Sequence, residues 1–301
     1  MPATDVKAAL GGISGVHVTP YDADGKVDPA LLARIVDRIA AAGVHAVVTA
    51  GNTGEFYALG DDEVRAVHDT AIAANNGRAL LIAAVGRSLR DATALARRAA
   101  GGGADAILVH QPLDPFAAPA AQAAYFTAVA DAVDIPVLAY LRSDALGLDE
   151  LMAVANHPNI VGVKFATGNV MRLADCIRAS GPGTARWICG LAEGWAPAFY
   201  AVGARGFTSG LVNVDPGRSL AIHAALEAGD YAEAQRQVAA IAAFETMRTH
   251  FNNGANVTVV KEALKLIGLP VGEVRLPGLP RLDEAGRAAL REILAGWGLV
   301  T

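Results

Sequence analysis

Eight short apolar runs alternate with longer amphipathic segments along most of this 301-residue chain. Each run is shorter than a typical helix and is rich in Val, Ile, Leu or Ala, which is typical of a parallel strand buried on both faces. This alternation constrains the fold most, because it predicts strands separated by helices. The predicted strands are Ile13–Val18, Val44–Ala50, Ala79–Val85, Ala106–Val109, Val137–Tyr140, Ile160–Lys164, Arg186–Cys189 and Arg205–Thr208.

The segments between these strands have the pattern of helices. Pro29–Ala42 places Ile35 and Ile39 on one face, and Asp28 precedes it as a predicted N-cap. Eight successive strand–helix units predict an α/β fold, namely a (β/α)8 TIM barrel over residues 1–228. A doubly wound open sheet is the alternative, but no GxGxxG motif follows the first strand.

Three helix-like segments follow the eighth unit and are surplus to a barrel. They are Tyr231–Phe251, Val257–Leu266 and Glu284–Trp297. We therefore predict a C-terminal helical extension over residues 229–301, packed on the barrel or on a partner subunit. The Pro- and Gly-rich stretch Pro270–Pro280 is the predicted linker before the last helix.

Composition excludes several classes of protein. Hydrophobic residues make up 53% and charged residues 18%, which is incompatible with intrinsic disorder. The net charge of -5, without a basic run, disfavours nucleic-acid binding. We find no segment apolar enough to cross a membrane and no signal peptide. The only cysteines, Cys176 and Cys189, are too few for a disulfide scaffold. We therefore expect a soluble, cytoplasmic protein with reduced thiols.

Lys164 is the most informative single residue. It ends the apolar run Ile160–Val163, so its amine is expected to lie in surroundings of low polarity at the carboxyl end of a strand, where barrel active sites lie. Burial disfavours the ammonium form and makes a lysine nucleophilic at neutral pH, able to form a Schiff base with a ketone. The alternative is a lysine that extends to solvent or pairs with an acid.

Two neighbouring strand ends could supply the rest of such a site. Tyr140 ends the preceding strand and could relay protons, although it could equally pack at the rim with its hydroxyl hydrogen-bonded. The loop Gly51–Phe56 follows the second strand. Gly51 lets the backbone approach a ligand closely, and Asn52 and Thr53 could bind a carboxylate. An ordinary tight turn remains the alternative for this loop.

Together these elements resemble the dihydrodipicolinate synthase / N-acetylneuraminate lyase family of class I aldolases. The resemblance is carried by Gly-Asn-Thr-Gly-Glu at residues 51–55, by Tyr140 and by Val-Gly-Val-Lys ending at Lys164, and it extends over essentially the whole chain. It implies a barrel with a C-terminal helical segment, and a Schiff base between Lys164 and pyruvate or another 2-keto acid. It also implies that Tyr140 relays protons, that Asn52 and Thr53 bind the keto-acid carboxylate, and that the protein is a homo-oligomer.

Two departures from the family pattern suggest a different substrate from that of the synthases. Dihydrodipicolinate synthases usually carry an arginine five residues after the tyrosine, where this chain has Ala145. They also carry a tyrosine after strand four, where this chain has His110–Asp114. The segments Gly54–Leu59 and Tyr140–Asp144 look more like 5-dehydro-4-deoxyglucarate dehydratase, although Phe165 replaces that branch's acidic residue. We therefore predict a keto-deoxy sugar acid dehydratase or aldolase, with dihydrodipicolinate synthase activity as the alternative.

Several polar residues could bind the distal half of such a substrate. Arg142 could bind a second carboxylate, whereas Arg87 is interpreted as a surface residue of the rim. Thr208 and Ser209 could bind substrate hydroxyls, although small polar residues at a loop start are often helix caps.

Other mechanistic classes are weaker alternatives. His17, His110 and Glu55 are conceivable ligands for a metal-dependent aldolase, but no HxH or HExxH spacing supports them. A lysine that forms an imine supplies its own electron sink, so we predict no metal and no cofactor. A barrel that binds a keto acid without catalysis also remains open.

Overall fold

The computed structural model describes residues 3–300, and its centre is a closed barrel of eight parallel strands in sequence order. The first strand pairs with both the second and the eighth, which closes the barrel. The predicted (β/α)8 fold is confirmed. The strands are β1 (Ile13–Val16), β2 (Ala46–Thr49), β3 (Leu80–Val85), β4 (Ala106–His110), β5 (Val137–Leu141), β6 (Ile160–Phe165), β7 (Arg186–Cys189) and β8 (Phe207–Ser209).

Helices follow the strands and cover the outside of the barrel. Asp28 caps the first of these outer helices by accepting a hydrogen bond from the Leu31 amide at 3.0 Å, with Pro29 in the first turn. The helices are α1 (Ala3–Ala9), α2 (Pro29–Ala41), α3 (Asp61–Asn75), α4 (Leu89–Gly101), α5 (Pro119–Ala130), α6 (Leu148–Ala155), α7 (Val170–Ala179), α8 (Ala196–Ala201), α9 (Pro216–Glu227), α10 (Tyr231–Thr249), α11 (Asn256–Leu266) and α12 (Glu284–Gly296).

Two apolar cores hold the barrel together. The larger lies between the strands and the outer helices, and the smaller fills the barrel interior. The sequence pattern did not predict α1, which contributes Val6 to the interior core, as does Leu10 just after the helix. A Cβ on Gly162 of β6 would lie only 2.8 Å from the Leu10 side chain, so glycine is required there. The barrel interior is therefore packed and not a pore.

The first strand is shorter than predicted, because a side-chain hydrogen bond replaces those of the sheet at its end. β1 ends at Val16, two residues earlier than predicted, because the backbone N–H of Val18 donates to Asn213 Oδ1 at 3.0 Å. Of the helices in residues 3–300, none is both long and apolar enough to span a bilayer.

Helix α10 packs against α9, the helices α10 to α12 pack against one another, and a buried ion pair connects α11 to the barrel. Lys261 of α11 lies 2.5 Å from Glu55, which follows β2, and both side chains are almost fully buried. Glu55 also accepts a hydrogen bond from the Arg275 amide at 2.8 Å. These contacts hold the loop after β2 against the C-terminal extension. The division of the chain at residue 228 stays a prediction.

Replacing Lys261 with methionine should strongly destabilise the protein. Methionine keeps the volume of the side chain but leaves the Glu55 carboxylate buried beside an apolar group, and such losses typically cost about 3–5 kcal/mol. Urea denaturation measures the free energy of unfolding. The Glu55→Gln variant and the double variant complete a mutant cycle, in which the second change should cost much less than it does alone. Additive losses would contradict an energetic coupling of the pair.

Candidate active site

A cavity of about 530 Å³ opens at the carboxyl ends of the barrel strands. It is lined by the ends of β5, β6 and β8, by the loops after β2 and β7, and by residues of α10 and α11. All of the residues that the sequence proposed for binding or catalysis, except Gly51, line this cavity. Gly51 lies just beneath it, where a Cβ would come within 2.6 Å of Val16. One cavity therefore brings together side chains from distant parts of the sequence.

Lys164 lies near the end of β6 with 6% of its surface exposed. It is paired in the sheet with Tyr140 of β5, and its Nζ lies 3.9 Å from the centroid of the Tyr140 ring. Burial lowers the pKa of the Lys164 amine, and the nearby Arg142 charge acts in the same direction, while Tyr140 opposes it. A larger share of this lysine is therefore neutral and nucleophilic near pH 7 than is usual.

The lowered pKa predicts a pH dependence for imine formation at Lys164. Only the neutral amine attacks a ketone, so the rate should rise with pH through the lowered pKa of Lys164 and then level off. The plateau should begin well below the pH at which an exposed lysine loses its proton. Single-turnover borohydride trapping with pyruvate from pH 5 to 10 measures this profile. A rate that still rises at pH 10 would mean an ordinary lysine.

The Tyr140 hydroxyl belongs to a polar network above the lysine. The amide orientation of Asn52 that suits both neighbours directs its oxygen to the Tyr140 hydroxyl at 3.1 Å. The same oxygen lies 3.3 Å from both Nε and Nη1 of Arg142. Arg142 is positioned in turn by its backbone N–H, which donates to Gln111 Oε1 at 2.6 Å. Asn52 therefore connects the predicted proton relay to the cation predicted to bind a carboxylate.

The loop after β2 is held in one conformation by its neighbours. The Thr19 hydroxyl donates to the Gly54 carbonyl at 2.7 Å, and Glu55 adopts a left-handed conformation with φ of 61°. Phe56 stacks on the His110 ring at 4.5 Å. Because the loop is fixed, Asn52 and Thr53 present their polar groups to the cavity without a further ordering cost.

Thr208 and Ser209 end β8 at the cavity, but their surroundings differ. The Ser209 hydroxyl is already engaged, since it accepts from the Val212 amide at 3.1 Å and contacts the Ser219 hydroxyl at 3.1 Å. Its geometry is that of a cap for the turn after β8, which weakens the prediction that it binds substrate. Thr208 keeps its place among the candidate binding residues.

The structure adds polar residues from the C-terminal helices that sequence reasoning missed. Glu245, Arg248 and Asn256 line the cavity from α10 and α11. Their sequence signal was weak, because the helical pattern of α10 reads as an ordinary surface helix. Only the packing of the C-terminal extension over the barrel mouth shows their proximity to the site.

Other sequence-proposed residues have structural contacts. Arg87 bonds to Asp61 and to the carbonyls of Phe56 and Leu59, which supports the interpretation of a structural arginine at the rim. Glu55 forms an ion pair with Lys261. Within residues 3–300, no three His, Cys, Asp or Glu side chains lie close enough together to hold a metal ion. The geometry therefore gives no support to a metal-dependent aldolase built on Glu55.

Comparison with known proteins places the chain in one family, because residues 9–296 match the dihydrodipicolinate synthetase family. This chain belongs to the dihydrodipicolinate synthetase family. The 4-hydroxy-tetrahydrodipicolinate synthase of Exiguobacterium sibiricum is 34% identical to it, over 95% of this chain and 97% of that protein. The corresponding enzyme of Mycobacterium leprae is also 34% identical, over 93% of each chain.

Solved structures of the dihydrodipicolinate synthetase family agree with this assignment. The dihydrodipicolinate synthase of Oceanobacillus iheyensis superimposes with a TM-score of 0.95, at 34% identity over 99% of both chains. The enzyme of Acinetobacter baumannii, solved with pyruvate, gives a TM-score of 0.87 at 31% identity, over 97% of this chain and 100% of that one. The chain is thus an enzyme of this class I aldolase family. The narrower dehydratase branch stays a prediction.

Proposed function

We propose that this chain forms a Schiff base with pyruvate and joins it to an aldehyde, the 4-hydroxy-tetrahydrodipicolinate synthase reaction. The observation that carries the proposal is Lys164, whose buried amine faces the Tyr140 ring at 3.9 Å in a cavity of substrate size. The relatives at 34% identity bear that name, so they favour the synthase over the sugar-acid dehydratase that the sequence suggested first.

The residues of the cavity divide the proposed reaction among them. Asn52 and Thr53 bind the pyruvate carboxylate, and the neutral Lys164 amine attacks the keto carbon. Tyr140 carries protons to the departing hydroxyl, so that water leaves and a protonated imine remains. The imine accepts the electron pair released when a C3 proton is lost. The resulting enamine carbon attacks the aldehyde and forms the new C–C bond, and the aldehyde oxygen takes up a proton. The amine of the aldehyde substrate then attacks the imine carbon and closes the ring, which breaks the bond to Lys164 and returns the lysine as a free amine.

A second candidate is the dehydration of a keto-deoxy sugar diacid. The specific observation in its favour is Arg142, which lines the cavity next to Asn52 and could bind a second carboxylate. Ala145 stands where a synthase usually has its arginine, which also fits a change of substrate. The enamine formed from the same Lys164 imine would then expel the C4 hydroxyl, which leaves as water, in place of attacking an aldehyde.

Borohydride trapping followed by turnover assays separates these candidates. The protein is reduced in the presence of pyruvate or of 5-dehydro-4-deoxyglucarate, and the peptide that contains Lys164 is weighed. Turnover is then measured with pyruvate plus L-aspartate 4-semialdehyde, and with the sugar diacid alone. A pyruvate adduct with condensation supports the synthase, whereas loss of water and carbon dioxide from the diacid supports the dehydratase. No adduct with either compound would favour a non-catalytic barrel.

The proposal includes a homo-oligomer. The loop between β4 and α5 exposes 64% of Leu113 and 93% of Phe116, and Leu89 lies exposed nearby on the rim that Leu113 shares. Large apolar side chains exposed together are typical of a protein interface. A second copy of this chain is the proposed occupant. Analytical ultracentrifugation of the protein and of a Leu113→Asp/Phe116→Asp variant tests this, and equal masses would contradict it.

A further inference from the structure

The helix α10 carries glutamate–arginine pairs of the same spacing at two places with different surroundings. Glu233 and Arg236 pair on the surface, with 68% of the Arg236 side chain exposed. Glu245 and Arg248 pair at the cavity, with 4% of the Arg248 side chain exposed. Surface pairs of this kind are common, whereas arginine is almost never fully buried unless it is paired. The second pair therefore differs from the first, because its arginine is held out of bulk water at the cavity.

The guanidinium of Arg248 lies beside the predicted carboxylate-binding loop. Its Nη1 donates to Glu245 Oε1 at 2.7 Å and its Nη2 donates to Asn256 Oδ1 at 2.9 Å. A Cβ on Gly210 would lie 2.6 Å from that Nη2 and 3.5 Å from the Thr53 methyl group. Glycine at position 210 thus leaves room for the guanidinium directly next to the loop after β2.

Arg248 also retains unused hydrogen-bonding capacity. Its Nε is buried and has no hydrogen-bond partner within the part of the chain that the structure describes. A guanidinium has five N–H donors, so the contacts with Glu245 and Asn256 leave donors for a ligand. An arginine held in a fixed orientation with free donors is well suited to bind a carboxylate.

The carboxyl group of Glu193 lies close enough to Arg248 and Glu245 to interact electrostatically with both. Glu193 is fully buried behind the cavity wall and accepts a hydrogen bond from Ser219 at 2.5 Å. Burial, and then the nearby charge of Glu245, raise the pKa of Glu193 to about 7. Glu193 is therefore partly protonated at neutral pH.

We propose that Arg248 and Glu245 form a subsite for the zwitterionic head of an amino acid that carries the aldehyde. Arg248 binds the carboxylate of that head group, and Glu245 binds its ammonium group. This inference rests on the proposed condensation and assigns the second substrate to residues of the C-terminal extension. It also explains how a chain with Ala145 can hold a charged aldehyde. A sugar diacid has no ammonium group, and its second carboxylate would be repelled by Glu245.

Binding to the borohydride-reduced pyruvate adduct tests the subsite without turnover. Three unreactive probes are titrated calorimetrically: L-homoserine has both charged groups, 4-hydroxybutanoate has only the carboxylate, and 3-aminopropan-1-ol has only the ammonium. The wild-type protein should bind L-homoserine at least about tenfold more tightly than either of the others, as expected for charge-assisted hydrogen bonds.

The variants should change this selectivity in opposite ways. Arg248→Gln should weaken L-homoserine and 4-hydroxybutanoate at least about tenfold and leave 3-aminopropan-1-ol unchanged. Glu245→Gln should weaken L-homoserine and 3-aminopropan-1-ol instead. Arg236→Gln, on the surface of the same helix, is the matched control and should change no affinity. Thermal melting and pyruvate trapping establish that each variant is folded, and Arg248→Lys replaces Arg248→Gln if the latter does not fold.

Two outcomes would overturn the subsite. Equal affinities of the wild-type protein for L-homoserine and 4-hydroxybutanoate would remove the role of Glu245. Unchanged L-homoserine binding in the folded Arg248 variant would remove the role of Arg248. Failure of pyruvate to form an adduct at Lys164 would instead contradict the proposed function. The titrations would then use the untreated protein, and their result would still decide the subsite.

Discussion

Replacing Lys164 with alanine should abolish both the pyruvate adduct and turnover. No other residue proposed for the site can form the imine, so every later step loses its electron sink. We expect kcat/KM to fall by about 10⁴- to 10⁶-fold, as when an enzyme loses its nucleophile. Borohydride reduction with labelled pyruvate, followed by mass analysis of the Lys164 peptide, measures the first effect, and a condensation assay measures the second.

The control for this experiment is Lys26→Ala, which removes an exposed lysine that does not line the cavity. It should trap pyruvate and turn over like the wild-type protein. A Lys164→Ala protein that melts normally and keeps more than a tenth of its activity would disprove the Schiff-base mechanism. An adduct on another lysine would move the site of imine formation.

Replacing Tyr140 with phenylalanine should slow imine formation while leaving pyruvate binding almost unchanged. The aromatic ring, which packs against Lys164, is retained, and only the hydroxyl that Asn52 contacts is lost. Loss of a group that transfers protons costs about 10²- to 10⁴-fold in rate. Single-turnover trapping gives the rate of imine formation, and its dependence on pyruvate concentration gives the apparent affinity.

The matched control is Tyr231→Phe, because Tyr231 lies at the exposed start of α10. It should leave both the rate and the affinity unchanged. If Tyr140→Phe instead raises the KM for pyruvate and keeps kcat, then the hydroxyl binds the substrate and does not relay protons. An unaffected rate would assign the relay to another group in the cavity.

Local sequence patterns were enough to predict the barrel and the strand ends at which the cavity lies. Buried parallel strands require continuous apolar runs, so the eight strands were visible directly in the residues. The position of Lys164 at the end of such an apolar run predicted both its burial and its lowered pKa. Active sites of (β/α)8 barrels lie at the carboxyl ends of the strands, so the same position also predicted that the amine faces the cavity. The strand bounds were less exact, since the end of β1 depends on a hydrogen bond that the Val18 N–H donates to Asn213, almost two hundred residues later.

The roles of side chains that pair across long distances could not be predicted in this way. Glu55 was considered as a conceivable metal ligand, but it accepts from the Arg275 amide and pairs with Lys261. Ser209 was proposed either to bind substrate or to cap a turn, and the sequence did not predict that its hydroxyl contacts Ser219 on α9. The periodicity of the sequence does not indicate which polar side chains from distant segments will contact each other.

The sequence by itself therefore determined the (β/α)8 architecture, the burial of Lys164 at a strand end and the family, because each depends on local patterns of burial and on contiguous motifs. Tertiary structure alone decided which residues complete the cavity. Arg248 and Glu245 line the cavity only because the extension after the barrel folds back over its mouth. There the two side chains form an ion pair in which the arginine is buried, and burial strengthens the electrostatic interaction. Contacts between distant segments depend on packing, and packing is fixed only when the whole chain has folded.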